Sequence, residues 1–160
     1  MTRAPRLLEL FSGSQSMSEV AKAIGCLTLT VDNDPATKPD VLTDILEWSY
    51  QDKMWGGFDI IHASIPCEQF SQCNTRGRPY IEKARDIARR SREIIDYHSR
   101  QNPKLICIIE NPKTSLLNNE DAIRGLKITD ASYCCYGFPY RKNTRFFHNI
   151  PGLVLQECSQ

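Results

Sequence analysis

No stretch of this sequence approaches the ~18 consecutive apolar residues that a membrane span needs. Residues 1–6 carry basic side chains but lack the apolar run and small-residue cleavage site of a secretory signal. A cytoplasmic or nuclear setting is therefore expected, with no membrane partner. No two cysteines have Cys-x-x-Cys spacing, and the total of seven is odd, so neither a zinc site nor a complete disulfide framework is indicated. Reduced thiols and no bound metal follow. Excess charge of one sign is missing too: 20 Lys and Arg face 19 Asp and Glu, a net charge of +1. Dedicated nucleic-acid-binding domains are usually more basic, so any such contact must come from a local patch. Without repeats, low-complexity tracts or an interdomain linker, the 160 residues are expected to form a single domain.

What is present is an alternation of strand and helix patterns. Residues 7–11 predict a short buried strand, ended by Ser12-Gly13-Ser14. Residues 16–24 predict a helix with Met17, Val20, Ala21 and Ile24 on one face and Gly25 just past its end. Residues 27–31 are apolar and β-branched, a second strand; residues 40–46 are a weaker third. A strand over 58–63, a long helix over 79–98 and a near-continuous apolar strand over 105–109 follow. Segments 132–136 and 145–147 are expected to pair as a closing hairpin. This order predicts an α/β fold, a doubly wound and mostly parallel sheet flanked by helices with a C-terminal antiparallel hairpin.

In such sheets, ligands gather outside the carboxyl ends of the strands. Polar clusters fall at four of those ends: Phe11-Ser12-Gly13-Ser14, Asp32, Pro66-Cys67 and Glu110-Asn111-Pro112. Any one of them is accounted for by an ordinary turn; four together point to one edge of the sheet as a site. Gly13 allows close approach of a ligand to the backbone. Asp32, about 20 residues on, is placed either to hold ribose hydroxyls or to cap a turn. Cys67, on a polar loop with Gln69, Ser71, Gln72 and Asn74, is either a structural cysteine or a nucleophile. Glu110 follows an apolar strand, where desolvation should keep a carboxyl protonated. Thiol and proton donor on adjacent strand ends would make a covalent-catalysis pair.

At these residues the chain resembles the cytosine-5 DNA methyltransferases, in particular the short forms found in viruses and phages. The matching segments are Leu8-Glu9-Leu10-Phe11-Ser12-Gly13, Val31-Asp32-Asn33-Asp34, Thr43-Asp44-Ile45, Ala63-Ser64-Ile65-Pro66-Cys67, Glu110-Asn111-Pro112 and residues 140–147, in the family's order. The resemblance implies a Rossmann-like S-adenosylmethionine-dependent methyltransferase fold. It also implies S-adenosylmethionine as cofactor, held by Phe11, Ser12, Gly13, Ser14, Asp32, Asn33, Asp44, Ile45 and Pro66. Cys67 would add to carbon 6 of a cytosine flipped out of DNA, Glu110 would bond the ring nitrogen and exocyclic amine, and Arg145 would support the base pocket.

The chain departs from the family at Gln15, where a glycine is usual, at Asn143 in place of an arginine, and at Pro112 in place of valine. It ends soon after Arg145, which implies no target-recognition domain and leaves that role to a partner subunit or second copy. Arg76, Arg78, Arg141 and Lys142 are the candidate phosphate contacts. The helix arginines Arg85, Arg89, Arg90 and Arg92 alternate with acids and are expected to form a solvated face. His62, Phe146 and Phe147 are expected to be structural. Two other functions stay open: the same chemistry on RNA or a free nucleotide, and a cofactor-binding module that needs a partner for activity.

Overall fold

The computed structural model describes residues 3–74 and 77–159. Within them one sheet holds strands β1 (Arg6–Leu10), β2 (Leu27–Asp32), β3 (Val41–Leu42), β4 (Ile60–Ser64), β5 (Ile106–Pro112), β6 (Lys127–Ser132) and β7 (Asn143–His148). Their order is β3-β2-β1-β4-β5-β7-β6. The first five run parallel, while β7 lies antiparallel between β5 and β6. Helix α1 (Ser16–Ala23) connects β1 to β2, and α2 (Ile81–Gln101) connects β4 to β5. The order moves one way from β1 to β2 and the other way from β4 to β5. Right-handed crossovers therefore place the two helices on opposite faces.

The central strands are buried on both faces, as near-continuous apolar runs require. Leu8, Leu10, Ile61, Ala63, Cys107, Ile109 and Phe147 form the core with Ala84, Ala88, Ile94 and Ile95 of α2. Burial pushes the Cys107 thiol above its ordinary range, which leaves it an inert packing group. Of the α2 arginines expected to form a solvated face, only Arg89 is exposed, paired with Asp86. Arg85 reaches Glu120, Arg90 donates to the Ile45 and Trp48 carbonyls and Arg92 to those of Ala122 and Arg124, so these three tie the helix to neighbouring segments instead.

Two expected elements differ. The third strand shrinks to Val41–Leu42. The first strand of the closing hairpin is Lys127–Ser132, not 132–136; Tyr133–Tyr136 is a 3-10 turn. As the last strand of the sheet, β6 leaves Ile128 53% exposed, so its Lys-Ile-Thr-Asp pattern carries no apolar run to betray it.

The loop after β1 is bent sharply, with Phe11 at φ 57°, Gly13 at 45° and Gln15 at 58°. Left-handed backbone at a non-glycine residue is costly, about 1–2 kcal/mol. Gln15 offsets that cost: its Nε2 donates to the carbonyls of Thr37 (2.9 Å) and Lys38 (3.1 Å). Gln15 thus ties the β1 loop to the turn after β2. Gln15→Ala keeps the strain and loses both tethers, so a loss of about 1–2 kcal/mol in urea unfolding is expected.

Candidate active site

Register decides what shares a face. Glu9 lies opposite His62, Ser64 opposite Glu110, and Glu110 opposite Phe146. With the period of two along strands, Glu9, His62, Ser64, Glu110 and Phe146 all project to one side of the sheet. They line a cavity of about 720 Å³ together with Phe11, Ser12, Gly13, Ser14, Tyr133, Phe138, Tyr140 and Lys142. Beside it a smaller cavity of about 70 Å³ is lined by Phe11, Asp32, Asn33, Asp44, Ile45 and Pro66, with Lys83 and Ile87 from α2. All nine residues expected to hold the cofactor therefore border one of these two adjoining cavities. Phe11 borders both.

Asp32 sits where a strand end meets the β1 loop. Its Oδ2 accepts from the Gly13 N–H (2.8 Å) and its Oδ1 from the Asp34 N–H (2.9 Å). Each oxygen keeps a lone pair for a ligand hydroxyl. An added Cβ at Gly13 would meet nothing within 4 Å, so the backbone there is open to a close approach. The buried Ser12 Oγ has no hydrogen-bond partner among the described residues, a vacancy a polar ligand group would fill. Lys83, 3.7 Å from Asp44, is an exposed lining residue with no sequence signal, since only the docking of α2 brings it beside Asp44. Glu9, also unforeseen, is buried and accepts from the Ser18 N–H at the start of α1 (2.9 Å), fixing that helix to β1.

Glu110 is held by three groups. Tyr133 Oη donates to Oε1 at 3.0 Å, Lys142 Nζ to the same oxygen at 3.4 Å, and His62 Nε2 lies 3.3 Å from Oε2. Burial alone pushes the carboxyl up, as expected from the sequence. The hydrogen bond and charge of His62, then Lys142 and Tyr133, outweigh that and bring it down to about 2. The expectation of a protonated Glu110 is therefore overturned: it is a carboxylate at neutral pH. His62, expected to be structural, is 3% exposed and faces Glu110 across the β4–β5 pairing, and its Nδ1 has no hydrogen-bond partner among the described residues. Only the strand register brings it there.

Cys67 follows β4 directly and is half-buried. Its turn is fixed on both sides. Asn111, next to Glu110, donates to the Ile65 carbonyl (2.7 Å), and the Phe70 N–H donates to the Cys67 carbonyl (3.0 Å). The sulfur itself is not part of the lining of the Glu110 cavity, although Ser64, three residues earlier, is.

Arg145 lies elsewhere. It is in register with Asn111 and Asp130, on the opposite face from Glu110, and its Nε and Nη2 bond both Asp130 oxygens at 2.7 and 2.8 Å. Along β7 only Phe146 can face Glu110, because Phe147, fully buried in the core, fixes Arg145 to its own side. Arg145 is thus a structural partner of Asp130. Arg145→Ala should cost about 1–3 kcal/mol in thermal unfolding, because it strips a partly buried carboxylate of its main donor.

Among the basic candidates, Arg76 lies outside the described residues. Arg78 is half-buried and donates to the Ser71 carbonyl (3.0 Å), bracing the cysteine loop. Lys142 turns toward Glu110, and Arg141 is exposed.

No protein-family model matches the sequence, and no curated protein matches it. Among solved structures, the chain superposes on the Dnmt2 methyltransferase of S. pombe with a TM-score of 0.62 and 17% identity, over 94% of this chain and 53% of that one. The fold is a methyltransferase fold. The Entamoeba histolytica methyltransferase EhMeth aligns over 99% of this chain and 57% of its own (TM-score 0.59, 14% identity). A SAM-dependent methyltransferase from Agrobacterium tumefaciens aligns over 94% of this chain and 57% of its own (TM-score 0.55, 18% identity). The chain spans little more than half the length of these methyltransferases. The sheet of this chain ends in an antiparallel hairpin, the feature that carries Phe146 to Glu110.

Proposed function

We propose that the chain transfers a methyl group from S-adenosylmethionine to carbon 5 of a cytosine, with Cys67 as nucleophile and a nucleic acid as substrate. One observation carries this reading: β4 and β5 pair so that Ser64 meets Glu110, which sets the Pro66-Cys67 turn and the carboxylate on neighbouring strand ends, beside the Asp32 and Asp44 cleft. The solved structures it superposes on include SAM-dependent methyltransferases, in agreement with S-adenosylmethionine as the ligand of that cleft. The residues present fit it: Asp32 for ribose hydroxyls, Asp44 for the adenine amine, Phe11 and Ile45 for the ring, and the open Gly13 backbone with Ser12 Oγ for the amino-acid end. When bound, that group supplies the methyl.

The protein's part follows from its own side chains. Cys67 attacks carbon 6 as a thiolate, which makes carbon 5 nucleophilic. Glu110, as a carboxylate, accepts from the exocyclic amine. The ring nitrogen then takes its hydrogen bond from a donor beside Glu110, the Tyr133 hydroxyl or the Lys142 ammonium. Once carbon 5 carries the methyl, a water molecule takes its remaining proton, and that electron pair expels Cys67 from carbon 6 as a thiolate, which restores the aromatic ring.

Incubation of the protein with labelled S-adenosylmethionine and duplex DNA, single-stranded DNA, transfer RNA or dCMP tests the reading. Label in a polynucleotide is expected. Absence of label in all four, with cofactor binding measured separately, would overturn it and leave a partner-dependent module.

A further inference from the structure

The turn between β6 and β7 gathers aromatic rings that core packing does not require. It runs Tyr133-Cys134-Cys135-Tyr136-Gly137-Phe138-Pro139-Tyr140-Arg141-Lys142. Phe138 is 46% exposed and Tyr140 52%, although rings of this size are mostly buried in folded chains. Their centroids lie 5.6 Å apart, and Tyr133 stands 5.1 Å from Phe138 and 6.4 Å from Tyr140. The cluster is anchored, since Tyr133 Oη is the group that donates to Glu110, and all three rings border the same cavity. Gly137 takes a left-handed φ of 87°, closed by a bond from the Phe138 N–H to the Tyr133 carbonyl, and Pro139 fixes its own φ. Rings on so stiff a turn lose little freedom when a ligand covers them. Positive charge follows at once: Arg141 is exposed, and the Lys142 ammonium lies 4.7 Å from the Tyr133 ring centroid.

We propose that residues 133–142 are a stacking platform for the unpaired bases of a single-stranded nucleic acid, with Phe138 and Tyr140 covering base faces and Arg141 meeting the backbone. The inference rests on the cytosine-methylating reading for the base that enters the cavity, and it names the strand that carries that base. A duplex hides its base faces inside the stack, whereas a single strand offers them to aromatic side chains whatever its sequence. Adjacent cations favour a polyanion over an apolar protein surface as the occupant, and continuity with the Glu110 cavity delivers one base to the reacting groups.

Fluorescence anisotropy at low salt with labelled oligo-dC and oligo-rC of about 12 nucleotides, and with a duplex of the same length, tests the platform. Tighter binding to a single strand than to the duplex is expected, and the DNA and RNA arms identify the sugar. Phe138→Ala combined with Tyr140→Ala should weaken single-strand binding on the order of 10- to 100-fold, while Trp at both positions retains it. Leu at both positions keeps apolar bulk without a ring face, and should match the alanine variant if that one folds poorly. Arg141→Ala should flatten the salt dependence. Undiminished binding by the Leu variant, or a change in self-association by sedimentation with oligonucleotide binding intact, would overturn the proposal. The assay needs neither methyl donor nor Cys67. Aromatic-dependent binding without methyl transfer would therefore count against the proposed function alone.

Discussion

Cys67→Ala is expected to abolish methyl transfer, by at least about four orders of magnitude, while S-adenosylmethionine binding is unchanged. Asp32→Ala should do the reverse at first, raising the dissociation constant for the cofactor before it touches the chemical step. The split follows from position. Cys67 lies on the loop after β4 and lines neither of the cavities bordered by the cofactor candidates, whereas Asp32 borders the smaller one and holds the Gly13 backbone. Trapping with DNA that carries 5-fluorocytosine provides a second measurement. The wild-type protein should form a stable covalent adduct; an adduct formed by Cys67→Ala would end the assignment of the nucleophile.

The second large effect concerns Glu110. Its carboxyl is brought from an ordinary 4.5 to about 2, chiefly by His62 against the opposing pull of burial. A depressed value stabilises the folded state above the ordinary pKa, and that contribution is lost as pH falls from about 4.5 toward about 2. The difference corresponds to something on the order of 3 kcal/mol. Glu110→Gln should erase this part of the acid dependence in unfolding curves measured across that window, and should lower methyl transfer about 10²- to 10⁴-fold. His62→Gln removes the largest opposing influence and leaves burial less checked. The Glu110 carboxyl, followed by carbon-13 NMR, should then titrate well above its wild-type value. A titration unchanged in His62→Gln would show that Lys142 and Tyr133 hold the carboxylate by themselves.

Much of the architecture was legible because β1, β2, β4 and β5 are short apolar runs bounded by polar turns, and the polar turns fall at strand ends. The edge strand β6 was not, since its exposure falls steadily from Lys127 to Ser132 and no alternation survives. Among the expected site residues, the positions set by local sequence alone, Phe11 to Ser14, Asp32 and the Pro66-Cys67 turn, do fall at or just beyond the ends of β1, β2 and β4. Those that act across strands could not be read. The partners of Glu110 come from β4 and from the turn after β6, and their arrival depends on register. The same cause misplaced Arg145, one residue out of phase with the face it was expected to serve. It also reversed the charge expected of Glu110, because desolvation is visible in an apolar strand whereas compensating cations are not.

Anchoring of the cysteine loop bears on which component would travel in the proposed reaction cycle. The Ile65 carbonyl is clamped by Asn111, and the fully buried Phe70 passes its own carbonyl to the Leu116 N–H at 2.8 Å. The six residues 65–70, pinned at both extremities, leave the thiol little travel of its own. In the proposed reaction the pyrimidine would then be carried to a stationary sulfur, so selectivity would be exercised in delivering the base, by whatever surface grips the rest of the strand.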